Sequence, residues 1–320
     1  MTAENIAGPR PVGSGAGAFL PAFPFFLLVL LALFLAGCAT VAPDPLVTAV
    51  ERPVGRAQVV YKTVDGIDLT MHIFLPERRA GAGVVPAIIF FHGGGWTGGE
   101  PGYFFPHCRY FAHRGMAAFS AEYRIQSKHG TSPLEAMADA NSAMRWLRAH
   151  ADRLGIDPGR IVAAGGSAGG HLAAATAMLE GFNEPGDDLS ISTKPQALVL
   201  FNPAVYVDYI DGPEAFRGRS KEASPILHIR GGLPPTLVLH GTEDNVVPYP
   251  LSTLFCTLMN EAGNDCRLVT FPGKGHGFFN YRPGNIPSFR RAILETDRFL
   301  TDLGYLKGGP FFAPGPATRD

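Results

Sequence analysis

One hydroxyl in this chain stands between glycines, in Gly165-Gly166-Ser167-Ala168-Gly169, part of the stretch VAAGGSAGGHLAAATAML over residues 162–179. The apolar run before it predicts a buried strand, and the alanine-rich run after it a helix. G-x-S-x-G is a weak pattern in a chain with 39 glycines. The strand before and the helix after give it force, because a serine on such a sharp turn stands clear at the sheet edge beside a helix N-terminus. The glycines remove side chains that would collide with strand and helix. A phosphate-binding glycine turn is the competing reading, and the lysine of such a loop is missing here. A serine hydroxyl attacks an acyl carbonyl only when a base takes its proton.

Four histidines follow Ser167: His171, His228, His240 and His276. His171 lies one turn into the predicted helix and is expected to pack there. His240 ends a strand in LVLHG and reads as scaffold. His276 sits in GKGHGFFN, a glycine-flexed loop after the last predicted strand, suited to swinging an imidazole over Ser167. The carboxylate that orients this base should follow the preceding strand, where Glu243 and Asp244 compete in HGTEDNVVP. A tetrahedral intermediate also needs hydrogen-bond donors aimed at its oxyanion. One is the backbone N–H of Ala168. The others are expected from FFHGGGWTGG, where Gly94 and Gly95, with Gly93 next, can turn amides inward without steric cost. His92 reads as a buttress of that loop.

Positioning these groups requires a sheet. AQVVYKTV and LTMHIFLP predict an antiparallel pair around DGID. VPAIIFFHGGG, GMAAFSAEYR, DPGRIVAAGG, PQALVLFNP, PPTLVLHG and CRLVTFPG predict further strands. SPLEAMADANSAMRWLRAHADRLG, AGGHLAAATAML, LSTLFCTLMNEAG and SFRRAILETDRFLTDLG predict helices between and after them. The alternation implies an α/β fold with a mostly parallel central sheet and helices on both faces. A net charge of −1 with scattered basic residues argues against nucleic acid as a partner. No metal and no cofactor is expected: HCRYFAH (His107, Cys108, His113) lacks a coherent ligand set and reads as a packed helix.

Residues 25–36, FFLLVLLALFLA, are too short a run for a comfortable membrane span and fit the core of a signal peptide. LAGC, Leu35 to Cys38, resembles the lipobox of bacterial lipoproteins. That resemblance implies a signal peptide over 1–37, lipid on Cys38, export and a membrane anchor; Ala39 after the cysteine implies the outer membrane. An uncleaved N-terminal anchor is the alternative. Residues 38–55 read as a tether, 56–307 as the catalytic domain and 308–320 as a flexible tail. With Cys38 lipidated, Cys256 and Cys266 are left either bridged or as two buried thiols, and Cys108 single.

Taken together, FFHGGGWTGGEPGYF, GGSAGGHLA, HGTEDNVVP and GKGHGFFN resemble the α/β-hydrolase superfamily, in its esterase/lipase branch with an HGGG oxyanion loop. Within it they look most like bacterial acetyl xylan and feruloyl esterase-like proteins. The resemblance covers Val54 to Leu306 in motif order. It implies a serine carboxylesterase acting on short acyl esters, chiefly acetyl, of small molecules or plant polysaccharides, with Ser167, Asp244 and His276 as its triad. The aspartate before the VVP segment is what singles out Asp244 over Glu243. A small lid over residues 204–232 implies an open site. Trp96, Tyr103 and Phe278 are the residues expected to line substrate; they and Phe104, Phe105 and Phe279 line either an aryl or a sugar pocket or else are core. The alternatives are a lipase, an arylformamidase-like or prolyl-peptidase-like hydrolase, and a tethered binding protein on a hydrolase scaffold. The last of these is expected to have lost a catalytic residue.

Overall fold

The computed structural model describes residues 45–77, 83–208 and 215–310. Its sheet is built from β1 (Gly55–Val64), β2 (Ile67–Leu75), β3 (Val85–Phe91), β4 (Ala117–Ala121), β5 (Ile156–Gly166), β6 (Ala197–Phe201), β7 (Thr236–Gly241) and β8 (Cys266–Phe271). Their spatial order is β1-β2-β4-β3-β5-β6-β7-β8. β1 and β2 form the expected hairpin, closed where Asp65 and Gly66 both take positive φ (51° and 74°), the backbone that a tight two-residue hairpin turn requires. β2 also runs antiparallel to β4, and every other pair is parallel.

The period-2 alternation of β3 sends its side chains into two cores. Ile89 and Phe91 enter one cluster, with α3 (Pro133–Ala149), α4 (Ala168–Met178) and α5 (Tyr249–Glu261). Ile88 and Phe90 enter the other, with α2 (Phe105–His113) and α6 (Ile286–Asp302). Local signals set the ends of these helices. Ser132 and Glu135 close a capping box at the start of α3, which leaves fewer N-terminal amides without partners. Gly155, at φ 64°, closes the short turn Ala151–Leu154 that follows it.

The tether expected over residues 38–55 is corrected in part. Pro45–Glu51 forms a helix, α1, because Leu46, Ala49 and Val50 make a short apolar stripe that is buried in the second core. Arg109 donates to the Val50 carbonyl at 3.0 Å, and the Tyr281 hydroxyl donates to Glu51 at 2.7 Å. Cys38 and the apolar run before it lie outside the described residues. No helix among the described residues is long and apolar enough to cross a membrane. Cys256 on α5 and Cys266 on β8 are bridged, and Cys108 is a buried free thiol.

Beneath the sheet edge lies a buried ionic cluster. Lys62 of β1 reaches Asp139 of α3 at 2.6 Å and Glu184 at 2.7 Å. Arg124, in the EYR segment after β4, binds Asp139 through Nε and Nη2 and also meets Glu184. Each charge has an opposite partner, so the desolvation cost is offset; removing one member would strand the others.

Candidate active site

Ser167 sits between β5 and α4 with φ 57° and ψ −122°, a conformation outside the usual regions for an L-residue. Three backbone bonds hold it there, one of them from Ala204 N to its carbonyl at 3.3 Å. Its N–H donates to Phe201 O at 2.9 Å, and its carbonyl accepts from His171 N at 3.0 Å. The glycines around it answer to close approach. A Cβ at Gly169 would stand 2.0 Å from Phe91 O, and one at Gly166 would stand 2.3 Å from the Phe279 ring. The turn therefore fits only while β3 and the His276 loop press against bare backbone.

The loop after β3 meets Ser167 from the other side, where a Cβ at Gly93 would lie 3.3 Å from the Ser167 Cβ. Two carbonyls in it are anchored facing away from their following amides. His92 Nδ1 donates to Gly93 O at 2.9 Å, and Gly94 O accepts from Thr97 N and Gly98 N at 3.1 and 3.0 Å. In a trans peptide the carbonyl and the next N–H point in opposite directions. The amides of Gly94 and Gly95 are therefore turned away from those acceptors. Neither they nor the Ala168 N–H has an acceptor among the described residues. Gly94 takes φ 131° and Gly95 φ 60°, so the glycines are needed for backbone reasons. His92 is the expected buttress: buried, stacked on Tyr123 at 4.2 Å, its pKa lowered to about 4 by burial against the opposing bond to Gly93 O.

Asp244 and His276 come together across the C-terminal ends of β7 and β8. His276 Nδ1 lies 2.9 and 2.8 Å from the two carboxylate oxygens, so Nδ1 carries the proton and Nε2 keeps its lone pair. Oδ1 also accepts from Val246 N and Val247 N, both at 2.9 Å. The Asp244 side chain is fully buried. Burial would raise its pKa, but hydrogen bonds from His240, His276, Val247 and Val246 hold it well below the usual carboxylate range. Glu243, the competing acid, is exposed on the same turn. Ser167 makes no hydrogen bond to His276 among the described residues. Such bonds are often long before substrate binds.

A family model described as BD-FAE matches residues 71–210, and one described as the prolyl oligopeptidase family matches residues 192–292. Esterase LipC of Mycobacterium tuberculosis is 29% identical over 259 residues, covering 71% of this chain and 60% of that protein. An acetylxylan esterase of Xylanibacter ruminicola is 26% identical over 258 residues, covering 75% of this chain and 48% of that protein. The chain thus spans less than two thirds of the length of these curated relatives. Among solved structures, Thermogutta terrifontis esterase 2 phosphoramylated by tabun superposes with a TM-score of 0.76 at 45% identity, covering 79% of this chain and 97% of that one. The chain belongs to the esterase/lipase branch of the α/β-hydrolase superfamily. Other structures of esterase 2 hold propionate or butyrate.

In this hydrolase one of the expected substrate-lining aromatics, Phe278, is corrected. Phe278 is 3% exposed, 4.3 Å from the Phe271 ring and edge-on to Phe279, so it packs the second core. Trp96 borders a cavity of about 280 Å³ beside the oxyanion loop, yet its ring is 2% exposed and sits edge-on between His171 and Phe216. Tyr103 is half exposed and points an edge at His92, so it remains available to a ligand. The lid segment packs down onto α4, where Ala223 O accepts from His171 Nε2 at 2.7 Å.

Two residues of the hydrolase's site escaped the sequence. Asn202, at φ 35° after β6, brings its Nδ2 donor to 3.4 Å from His276 Nε2, the ring nitrogen that keeps its lone pair. A lone asparagine before proline gave no chemical signal. His240 was read as scaffold, and it is buried as expected. It also touches the Asp244 carboxylate at 3.1 Å, a contact its four-residue spacing from Asp244 allows only when the turn between them folds back.

Proposed function

We propose that the protein is a serine carboxylesterase for short acyl esters, with Ser167 as nucleophile, His276 as general base and Asp244 as its orienting acid. The observation that carries this reading is the convergence of a strained serine turn, a carboxylate-held imidazole and uncommitted amides at one end of the sheet. Ser167 Oγ attacks the acyl carbon as His276 Nε2 takes its proton. The oxyanion is received by the N–H groups of Ala168, Gly94 and Gly95, with Gly93 adjacent. Collapse expels the alcohol, which takes the proton from His276 and leaves an acyl-Ser167 ester. Water then attacks that ester with His276 again as base, and the acid is released.

The acyl group we assign is acetyl or propionyl. The Phe278 ring is committed to the core and builds no acyl wall, and the cavity of about 280 Å³ beside the oxyanion loop, bordered by Gly95, Thr97 and Arg217, is lined by neither Ser167 nor His276. Each buried methylene adds about 0.8 kcal/mol of binding only where wall exists to bury it. The acetylxylan esterase among the relatives, and the propionate and butyrate held by esterase 2, support this range and a polysaccharide ester as one substrate. A panel of nitrophenyl esters of rising chain length, with acetylated xylan and feruloyl esters, tests it. The expected result is kcat/KM falling beyond about four carbons; a rise out to octanoyl esters restores the lipase reading.

We further propose that Cys38 carries lipid and tethers the exported enzyme to a bacterial membrane, on the strength of LAGC after an apolar run. Wild-type chain should incorporate labelled fatty acid and Cys38→Ala should not; an unlabelled wild type rejects the anchor.

A further inference from the structure

The Asp244 carboxylate has a second imidazole on it. His240 Nε2 lies 3.1 Å from Asp244 Oδ2 and 3.0 Å from Val247 O, with both side chains of the His240–Asp244 pair fully buried. Both neighbours are acceptors, so Nε2 carries the ring proton and Nδ1 its lone pair. Ser252 Oγ, 2.7 Å from Nδ1 and itself buried in the first turns of α5, is then the donor to it. Tyr249 meets the ring edge-on at 5.6 Å. The backbone of His240 is paired with Thr270 within the sheet. This imidazole is thereby held by strand, helix and hydrogen bonds together.

His276 has no such support. It stands on a glycine-flanked loop and is a quarter exposed. Asp244 Oδ1 is held by the Val246 and Val247 amides, whereas Oδ2, without His240, would meet only His276. We propose that His240 is a positioning residue for the triad: its Nε2–H fixes the plane of the Asp244 carboxylate, so that both oxygens face Nδ1 of His276. The chain Ser252–His240–Asp244–His276 transmits the rigidity of β7 and α5 to the loop-borne base. His240 touches no substrate and exchanges no proton in the reaction. Its effect is on how often His276 stands ready. The inference rests on the triad reading above.

His240→Leu removes the donor and should lower kcat about 10- to 100-fold, the value of one hydrogen bond to a charged group, with KM little changed. His240→Gln keeps an N–H donor at the end of a side chain of similar reach and should recover most of the loss. In an Asp244→Asn background His240→Leu should cost nothing more, because the carboxylate it orients is gone. A folded His240→Leu with wild-type kcat overturns the inference, as does an equal loss in the Asp244→Asn background or a glutamine variant no better than leucine. Should the leucine variant fail to fold, ¹⁵N-histidine spectra of the wild-type enzyme decide the matter. His240 is expected as the Nε2–H tautomer and His276 as the Nδ1–H tautomer, and a proton on His240 Nδ1 overturns the assignment. Wild-type turnover by Asp244→Asn alone would instead break the triad reading itself.

Discussion

Gly166 occupies the first variable position of G-x-S-x-G, where the pattern accepts any residue; the structure accepts one. A Cβ there would stand 2.3 Å from Phe279 Cζ and 2.8 Å from Cε2. Ordinary carbon contacts begin near 3.5 Å, so Gly166→Ala requires the ring to retreat by about 1.2 Å. Phe279 has no free side to move into, being stacked on Phe201 at 4.9 Å and on Phe104 at 5.8 Å. Overpacking of this kind costs about 1–3 kcal/mol, or roughly 2–12 °C in Tm. The displacement also reaches His276, three residues away on the same loop. A shift near 1 Å in a catalytic group lowers turnover about 100-fold. Thermal melts and steady-state kinetics on nitrophenyl acetate measure both losses. The second substitution Phe279→Leu, which shortens the ring, should return part of each, so the two changes should be strongly non-additive. An alanine variant with wild-type Tm and kcat would refute this reasoning, and so would a double variant worse than the sum of its parts.

Ser167→Ala should lower kcat by about 10⁴- to 10⁶-fold while the protein stays folded, and near-unchanged turnover would remove the nucleophile. Asp244→Asn should cost about 10³- to 10⁴-fold in kcat, because one of the carboxylate's acceptor positions becomes a donor facing donors; Glu243→Gln should stay within about twofold, and the reverse ranking reassigns the acid. Because the folded protein holds the Asp244 carboxyl below its ordinary pKa, its contribution to stability is complete above about pH 4 and is lost as pH falls further. The Tm difference between wild type and Asp244→Asn should therefore narrow in acid, and a difference that widens there contradicts the hydrogen bonding described. The Cys256–Cys266 bridge closes a short loop, with a sequence separation of 10, and its loss through paired serine substitutions should cost about 3 kcal/mol, roughly 6–12 °C, without a change in kcat.

The central parallel strands were legible because they are buried on both faces and read as unbroken apolar runs, as in β6, Ala197–Phe201, whereas β8 at the sheet edge is only partly buried. Ser167, the glycines after β3 and His276 were legible because their chemistry is tied to sharp turns that few residue types can make. Phe278 was misread for the opposite reason. An aromatic ring near a site has the same identity whether it lines a wall or fills a core, and only the packing of distant strands and helices decides between them. α1 escaped because a stripe of three apolar residues beside prolines carries little periodicity of its own. The choice between Glu243 and Asp244 needed a family resemblance, since one residue of register on a turn is beneath the resolution of pattern. His240 was legible as buried, but the neighbour it would find was not.

The order of strands has a consequence for how activity is acquired. Ser167 and the oxyanion loop follow β5 and β3 in the middle of the sheet, whereas His276 follows β8, at its edge and late in the chain. β8 pairs only with β7 in the sheet, and the 276 loop is pressed home by the ring of Phe279. A chain halted before β8 and α6 can possess the nucleophile and the amides but no base. Refolding followed by ester turnover therefore times the docking of this last segment, while tryptophan emission, which follows Trp96 and Trp146 earlier in the chain, times the packing around β3 and α3. An interval between the two signals measures how long the sheet waits, assembled and inert, for its final strand.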